Sequence, residues 1–292
     1  MRDLGAPIRV TWELPADSHR AAAVWSRLVE ARVLLAEVHI PPGPLSGLPG
    51  LATAIGKGGG PRLSLAAPAG PLLAAIEALG PRTLAASEFL LLPPFEPVLD
   101  VEDLAAATHR LVPAVWATPS GLGYFSEALE VARGYRLAEV AVLNPPAPAA
   151  PLGPEDRRRA AETWRRRGGA PLGLRVHDLF LAEAVGLDPW PAYTGCQGAD
   201  ALAHVTASGR LTACRTLPVD LGDLLETPLM DLWAAAPRKG VRARLARAPA
   251  GCRGCVLVDP CAGGCRGLSA DLGRDPSCPG PRAASHEGAS DR

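Results

Sequence analysis

Every cysteine of this 292-residue chain lies between Cys196 and Cys278, and the first 195 residues contain none. The order is Cys196, twelve residues, Gly209, four residues, Cys214; then thirty-seven residues; then Cys252-x2-Cys255-x5-Cys261-x3-Cys265; then twelve residues and Cys278. Thiolates are soft ligands suited to iron-sulfur clusters and zinc, and pairs two or three residues apart reach the same or neighbouring metals from one turn of chain. Random placement does not gather all the thiols of a chain into such an array, so the spacing predicts a metal scaffold. Gly195, Gly198, Gly251, Gly254, Gly263, Gly264 and Gly267 stand beside the thiols, where bulky side chains would block the approach of amide N–H groups to sulfur. An odd count cannot pair within one chain, and a reducing compartment disfavours disulfides, so a disulfide framework is set aside.

These thiols need elements to hold them. Residues 206–214 (TASGRLTAC) read as a hairpin with Ser208-Gly209 at the turn and Cys214 at the end of its second strand. Residues 221–232 (LGDLLETPLMDL), with Trp233, read as a short apolar helix packed against it. So small a unit with few large side chains has a thin core, and bound metal would supply much of its folding energy. Upstream, to about Asp188, short apolar runs alternate with helical-period segments, the pattern of repeated βα units. Strands are expected over 8–14, 34–40, 62–66, 83–91, 114–117, 138–143 and 172–176. Helices are expected from an N-cap at Ser18 to Ala31, and over 72–79, 101–111, 125–133, 155–167 and 179–185. Seven strands separated by helices, without long hairpin signals, favour an α/β fold with a parallel sheet rolled into a full or partial TIM-like (β/α) barrel over an open doubly wound sheet. The Pro-rich run 144–154 reads as the connection from the sixth strand to its helix. The domain boundary is placed near Pro189 to Pro191: a barrel over 1–189, a cysteine-rich domain over 190–280, and a disordered polar tail over 281–292. The basic stretches 155–168 and 238–247 read as solvated helix faces.

Composition narrows the function classes. With 30 Lys and Arg against 30 Asp and Glu, no global charge attracts nucleic acid or an anionic membrane. At 48% hydrophobic residues the chain is too apolar to be intrinsically disordered. The most hydrophobic run, 89–97, contains Pro93, Pro94 and Glu96 and cannot span a bilayer, and no secretory pattern opens the chain. A cytoplasmic protein is expected.

The ordered pattern from Cys196 through Gly209 to Cys278 resembles the SPASM domain, the auxiliary cluster module behind the radical SAM barrel in peptide- and protein-modifying enzymes. The segments LGDLLETPLMDLW, CAGGCRG and DPSC are also similar to that family, and the resemblance covers 190–280. It implies two [4Fe-4S] clusters with interleaved ligands: Cys196, Cys214 and Cys265 on the first, and Cys252, Cys255, Cys261 and Cys278 on the second. The first then lacks a fourth thiolate; its last iron would be open, or bound by Asp200, His204 or a partner.

The upstream half departs from the family. A radical SAM enzyme follows its first strand with C-x3-C-x2-C, the ligands of the cluster that cleaves S-adenosylmethionine. Residues 10–14 (VTWEL) resemble that strand, but the next segment puts Ser18, Ala22 and Trp25 at the cysteine positions. Where the family carries Gly-Gly-Glu-Pro after the second strand, this chain reads His39-Ile40-Pro41-Pro42-Gly43-Pro44. The barrel is therefore expected to persist without cleavage of S-adenosylmethionine. An intact SPASM array on such a barrel resembles the SPASM-domain protein of the GeoRSP-type system, which accompanies a full radical SAM/SPASM protein and a PqqD-like peptide-binding protein. The resemblance implies an iron-sulfur accessory of ribosomal-peptide maturation that relays electrons or holds a precursor peptide or partner, with no independent catalysis.

Two other classes stay open on the residues alone. Cys252, Cys255, Cys261 and Cys265 could make one tetrahedral zinc site in a binding module without redox role, which leaves Cys196, Cys214 and Cys278 unexplained. An independent enzyme could use His39, Glu88, Asn144 and Asp178 at the C-terminal ends of barrel strands. No nucleophile elbow or His-Glu-x-x-His is present, and Gly58-Gly59-Gly60 is followed by Pro61 rather than the Lys-Ser/Thr of a phosphate loop.

Overall fold

The computed structural model describes residues 4–283 except Pro44, Pro97, His109, Pro191, Ala192, Thr194 and Ala270. Most of the expected tail, from 284 on, lies outside the described residues. The βα alternation read from the apolar pattern is realised as β1 (Arg9–Glu13), α1 (Ser18–Glu30), β2 (Leu35–His39), α2 (Leu48–Gly56), β3 (Arg62–Ala67), α3 (Ala69–Ala78), α4 (Pro81–Ala86) and β4 (Glu88–Leu91). It continues through α5 (Val98–Ala107), β5 (Leu111–Trp116), α6 (Pro119–Leu122), α7 (Phe125–Gly134), β6 (Glu139–Leu143), α8 (Pro154–Arg167), β7 (Gly173–Val176) and α9 (Leu179–Ala184). The cysteine-rich part adds β8 (Leu202–Val205), β9 (Arg210–Thr212), β10 (Asp220–Asp223), α10 (Leu229–Ala234), α11 (Ala236–Leu245) and α12 (Val258–Cys261).

The ten strands of the described residues form one sheet in the order β10-β9-β8-β1-β2-β3-β4-β5-β6-β7. Strands β1 to β7 run parallel in chain order, β8 runs parallel to β1, and β9 and β10 turn back antiparallel. Among the described residues, strands β7 and β8 are the two ends of the barrel portion and do not pair with each other, so the barrel is partial, in the expected fold class. Alternation along each strand sorts the side chains to two faces. Val10, Trp12, Ala36, Val38, Leu63 and Leu65 join the helices in the main core. Ala66, Leu90, Val112, Ala114, Ala141 and Leu143 form a second apolar cluster on the opposite face, joined by Trp116.

Several local expectations are corrected. The cap of α1 is Asp17, whose Oδ1 accepts from the Arg20 amide at 2.8 Å, one residue before the expected Ser18. Residues 83–86 belong to α4, not to a strand: Pro81 sits at its first turn, where a missing N–H costs nothing, and the alanines that follow favour helix. Leu111 opens β5 instead of closing a helix, because α5 stops at Ala107. Helix α2 occupies a stretch with no expected element, and its Leu48 and Leu51 are buried. Of the helix expected over 221–232, Leu221 lies in β10 against β9, and only the part after Pro228 is helical. No described helix is long and apolar enough to cross a membrane.

Candidate metal centre

The Cys196 loop precedes β8, Cys214 follows β9, and Cys265 stands at the start of a short 3-10 turn. These three thiols line one cavity together with Asn144, His177 and Tyr193. Close packing sets the approach. A Cβ on Gly267 would fall 2.7 Å from the carbonyl oxygen of Thr216, so only glycine lets the Cys265 segment lie against the Cys214 segment. Burial pushes the Cys214 thiol up, against the pull of the Thr216, Leu217 and Arg215 amides, and the Cys196 sulfur pushes it further. The Cys265 thiol is raised well above the usual range by burial first, then by the Cys214 and Cys196 sulfurs.

The other four thiols act on one another. Cys252 is raised by burial, then by the Cys278 and Cys255 sulfurs; Cys261 is raised by burial and by Cys278 and Cys252, against the amides of Gly263 and Gly264. The Gly280 amide donates to Cys278 Sγ and the Arg282 amide to Cys255 Sγ, both at 3.4 Å. Leu179, Phe180, Trp190 and Leu257 pack around Cys261 and Cys278, which seats this set on the start of α9. Arg282 then fastens the segment after Cys278 to Glu183 at 2.6 Å.

Asp275 ties the two sets together. It is 1% exposed, and its carboxylate accepts from the Cys265 amide at 2.9 Å and the Ser277 amide at 2.7 Å. Gly264, at φ +73°, turns the chain beneath it in a conformation that other residues rarely adopt. The stretch 238–247, expected as a solvated face, is corrected: Arg238 is buried and donates to the Ala199 carbonyl at 2.8 Å, while Arg242 donates to those of Cys196 and Gly198 at 3.0 Å each. These two arginines clamp the Cys196 loop. In α8, by contrast, Arg158, Arg159, Arg165 and Arg166 are exposed as expected, with Arg157 buried.

The donor chemistry fits iron-sulfur clusters. Soft thiols fall into sets of three and four, with amide donors directed at sulfur, and these are features that hold and tune such clusters. Among the described residues no three Cys, His, Asp or Glu side chains are drawn together closely enough for a single metal ion. A tetrahedral zinc site would need thiolates about 3.8 Å apart, whereas a four-iron cluster takes one thiolate per iron. Cys265, which the zinc grouping needs beside Cys252, Cys255 and Cys261, lines the cavity with Cys196 and Cys214 instead.

The side chains suggested for the open iron are committed elsewhere. His204 Nδ1 lies 2.9 Å from Thr11 Oγ1 and Nε2 3.7 Å from Glu13 Oε1, and Asp200 pairs with Arg238 at 3.8 Å and Arg242 at 3.5 Å. Tyr193, which sequence reasoning missed, is an oxygen-bearing side chain beside both sets. Its phenol is raised by burial and then by the Cys265, Cys196 and Cys261 sulfurs.

At the barrel, Ser18, Ala22 and Trp25 all fall on α1, with Trp25 in the core. His39 Nε2 lies 2.6 Å from Glu37 Oε1, and its ring packs 5.4 Å from that of Trp116. Burial lowers the pKa of His39 against the pull of Glu37, while Arg9 and the contact with His39 overcome the burial of Glu37 and hold its carboxyl far below the usual range. Glu88 starts β4, the strand's N-terminal end, and meets Ser64 and Arg175 at 3.1 Å; its expected place at the C-terminal mouth is corrected. Asn144 follows β6 and lines the thiol cavity, and Asp178 caps α9 through the Leu181 amide at 2.6 Å.

No protein-family model and no curated protein sequence matches the chain. Solved structures do. SuiB of Streptococcus suis bound to S-adenosylmethionine superposes with TM-score 0.66 at 15% identity, over 95% of this chain and 78% of that one. SuiB bound to its precursor peptide SuiA gives 0.66 at 14% identity, over 95% and 77%. Native anSMEcpe with bound AdoMet and the Kp18Cys peptide gives 0.57 at 13% identity, over 94% and 93%. At such identities the likeness is one of fold, and the partial barrel with its cysteine-rich extension shares the fold of SuiB and anSMEcpe.

Proposed function

We propose that this chain is an iron-sulfur accessory protein of a radical SAM peptide-maturation system, in which it serves a radical SAM/SPASM partner and a PqqD-like protein acting on a precursor peptide. One observation carries the reading: the thiols segregate as Cys196, Cys214 and Cys265 in one cavity and Cys252, Cys255, Cys261 and Cys278 in mutual range, beside a barrel with no cysteine after its first strand. Each set would hold one [4Fe-4S] cluster, and bound clusters supply one-electron transfer. The chain's own part is to hold the sulfurs through Asp275, Arg238 and Arg242, and to shield the second set with Trp190, Leu179 and Phe180. The fold likeness to proteins solved with S-adenosylmethionine and with a precursor peptide supports the setting. The chain is a partner of such chemistry and not its catalyst, because Ser18, Ala22 and Trp25 offer no thiolate.

Anaerobic reconstitution followed by iron and sulfide analysis tests the reading. About seven to eight irons per chain are expected, and fewer than about three would overturn the two-cluster assignment. The same sample, given dithionite and S-adenosylmethionine, is expected to yield no 5'-deoxyadenosine.

A further inference from the structure

A cavity of about 130 Å³, with charged side chains set in a largely apolar lining, lies beside Cys214 between β1, β2, β8, the ends of β6 and β7 and the segment after β9. Its charges come from Arg9, Glu37, Arg175 and Arg215. Three of these are answered locally: Arg9 is bonded to Glu37, and Arg175 reaches Glu88 at 3.1 Å and Glu139 at 3.3 Å. Arg215 is not. It is 9% exposed, its Nε and Nη1 are enclosed without a hydrogen-bond partner, and its guanidinium stands 4.6 Å over the ring of Trp116. Its backbone is fixed to the β6 loop, where the Ala147 amide donates to the Arg215 carbonyl at 3.1 Å and the Thr216 hydroxyl donates to that of Pro145 at 2.8 Å. The side chain is thus held in place with its Nε and Nη1 donors unused. A guanidinium cannot shed its proton to escape this, so its free donors suit an anionic acceptor.

The size of the cavity selects the anion. Sites for whole small molecules begin near 300 Å³, so this one admits a group on a stem and not a nucleotide-sized cofactor. Val142, Leu143, Val176 and Ala203 give the walls an apolar character suited to methylenes. The guanidinium offers the fork geometry that pairs with the two oxygens of a carboxylate, and Asn144 in the same lining adds an amide donor. We propose that Arg215 is the floor of a carboxylate socket at the barrel mouth, which takes an acidic side chain or the free C-terminus of a peptide. This rests on the peptide-handling part of the proposed function, and the socket borders the first thiol set, with which it shares Asn144, His177, Leu202 and Cys214.

The test uses the full, anaerobically purified chain and calorimetric titration with four N-acetylated pentapeptides. They carry a central Glu or Gln, each with a free or an amidated C-terminus. At one of the two positions the acid is expected to bind about tenfold more tightly than its amide, and that advantage is expected to vanish in Arg215→Gln and to survive in part in Arg215→Lys. An advantage for Glu over Gln assigns the side chain, and one for the free over the amidated end assigns the terminus; either supports the socket. Equal binding of acid and amide, no binding of any peptide, or an acid preference that persists in Arg215→Gln overturns it. The acid-amide comparison is made on the unaltered protein, so a misfolded variant does not decide the outcome. Iron and sulfide analysis of the same sample reports on the clusters separately.

Discussion

Asp178 shows how a residue that looks catalytic by type and position is used by the fold as a cap. It follows β7 at the barrel mouth, is 5% exposed, and accepts from the Leu181 amide at the start of α9. Burial raises its carboxyl from 3.8 to about 6, against the pull of that amide. Because its pKa is higher folded than unfolded, the fold retains a proton that the unfolded chain releases. The stability this gives is complete below about pH 4 and lost as pH rises through about 6. Asp178→Asn keeps an oxygen for the Leu181 amide and removes the titration. It is expected to be more stable than the parent at pH 7.5 by on the order of 3 kcal/mol, with the difference closing toward pH 4; thermal melts across that window read it directly, and a constant difference would refute it. At this scale the cysteines were legible because metal ligation imposes spacing on sequence. Arg215, Tyr193 and Asp275 were not, since each takes its meaning from burial beside residues distant in the chain. The DPSC segment did mark Asp275's neighbourhood, but nothing in it gave the two amides that its carboxylate accepts.

Helix α11 carries the same lesson among the elements. Its arginines suggested a solvated face, yet Arg238, Val241, Arg242 and Leu245 follow the i, i+3, i+4, i+7 spacing of a single stripe, and Arg238, Val241 and Leu245 are buried. Weighing charge above period hid the clamp. Arg238 donates to the Ala199 carbonyl, stands 5.0 Å over the Trp233 ring, and pairs with Asp200, so its side chain joins α10, α11 and the Cys196 loop. Removing it strands a buried carbonyl and weakens the compensation of Asp200. Arg238→Met is therefore expected to cost about 3 kcal/mol in urea unfolding of the anaerobic protein. On the proposed cluster assignment, it should also lower iron to about the content of one cluster, because the clamp serves Cys196 and not the four thiols against α9. Equal loss from both sets would show that the clamp acts on the whole extension. The strands were the most readable elements, since alternate burial imposes a period of two. Helix α4 and strand β10 were lost where short apolar runs fit either period and only their pairing or packing decides.

For the whole molecule, the alternation of strands and helices was enough to give a parallel α/β fold, and the cysteine span marked off the second part. What sequence could not give is how the two are joined. Strand β8 pairs with β1 in parallel register, Arg9 with Leu202 through Trp12 with Val205. Ala203, Val205 and Leu211 share one core with Val10 and Trp12. The sheet therefore runs through the boundary proposed at 189/190, and the thiol loops hang from strands that complete the barrel's first edge. Cutting there would strip β1 of a neighbour on one side, leaving unpaired amides and carbonyls along an apolar strand, an edge prone to pairing with other chains. It would also remove the cover that 214–217 places on the β6 loop through the Ala147 amide and the Thr216 hydroxyl. A chain ending at residue 189 is thus expected to aggregate or to melt without a cooperative transition, whereas the full chain reconstituted with iron melts cooperatively. Size-exclusion chromatography and calorimetry of the two proteins decide this. A soluble, cooperatively melting 1–189 would mean that the barrel is a self-sufficient domain and that β8 only decorates its edge.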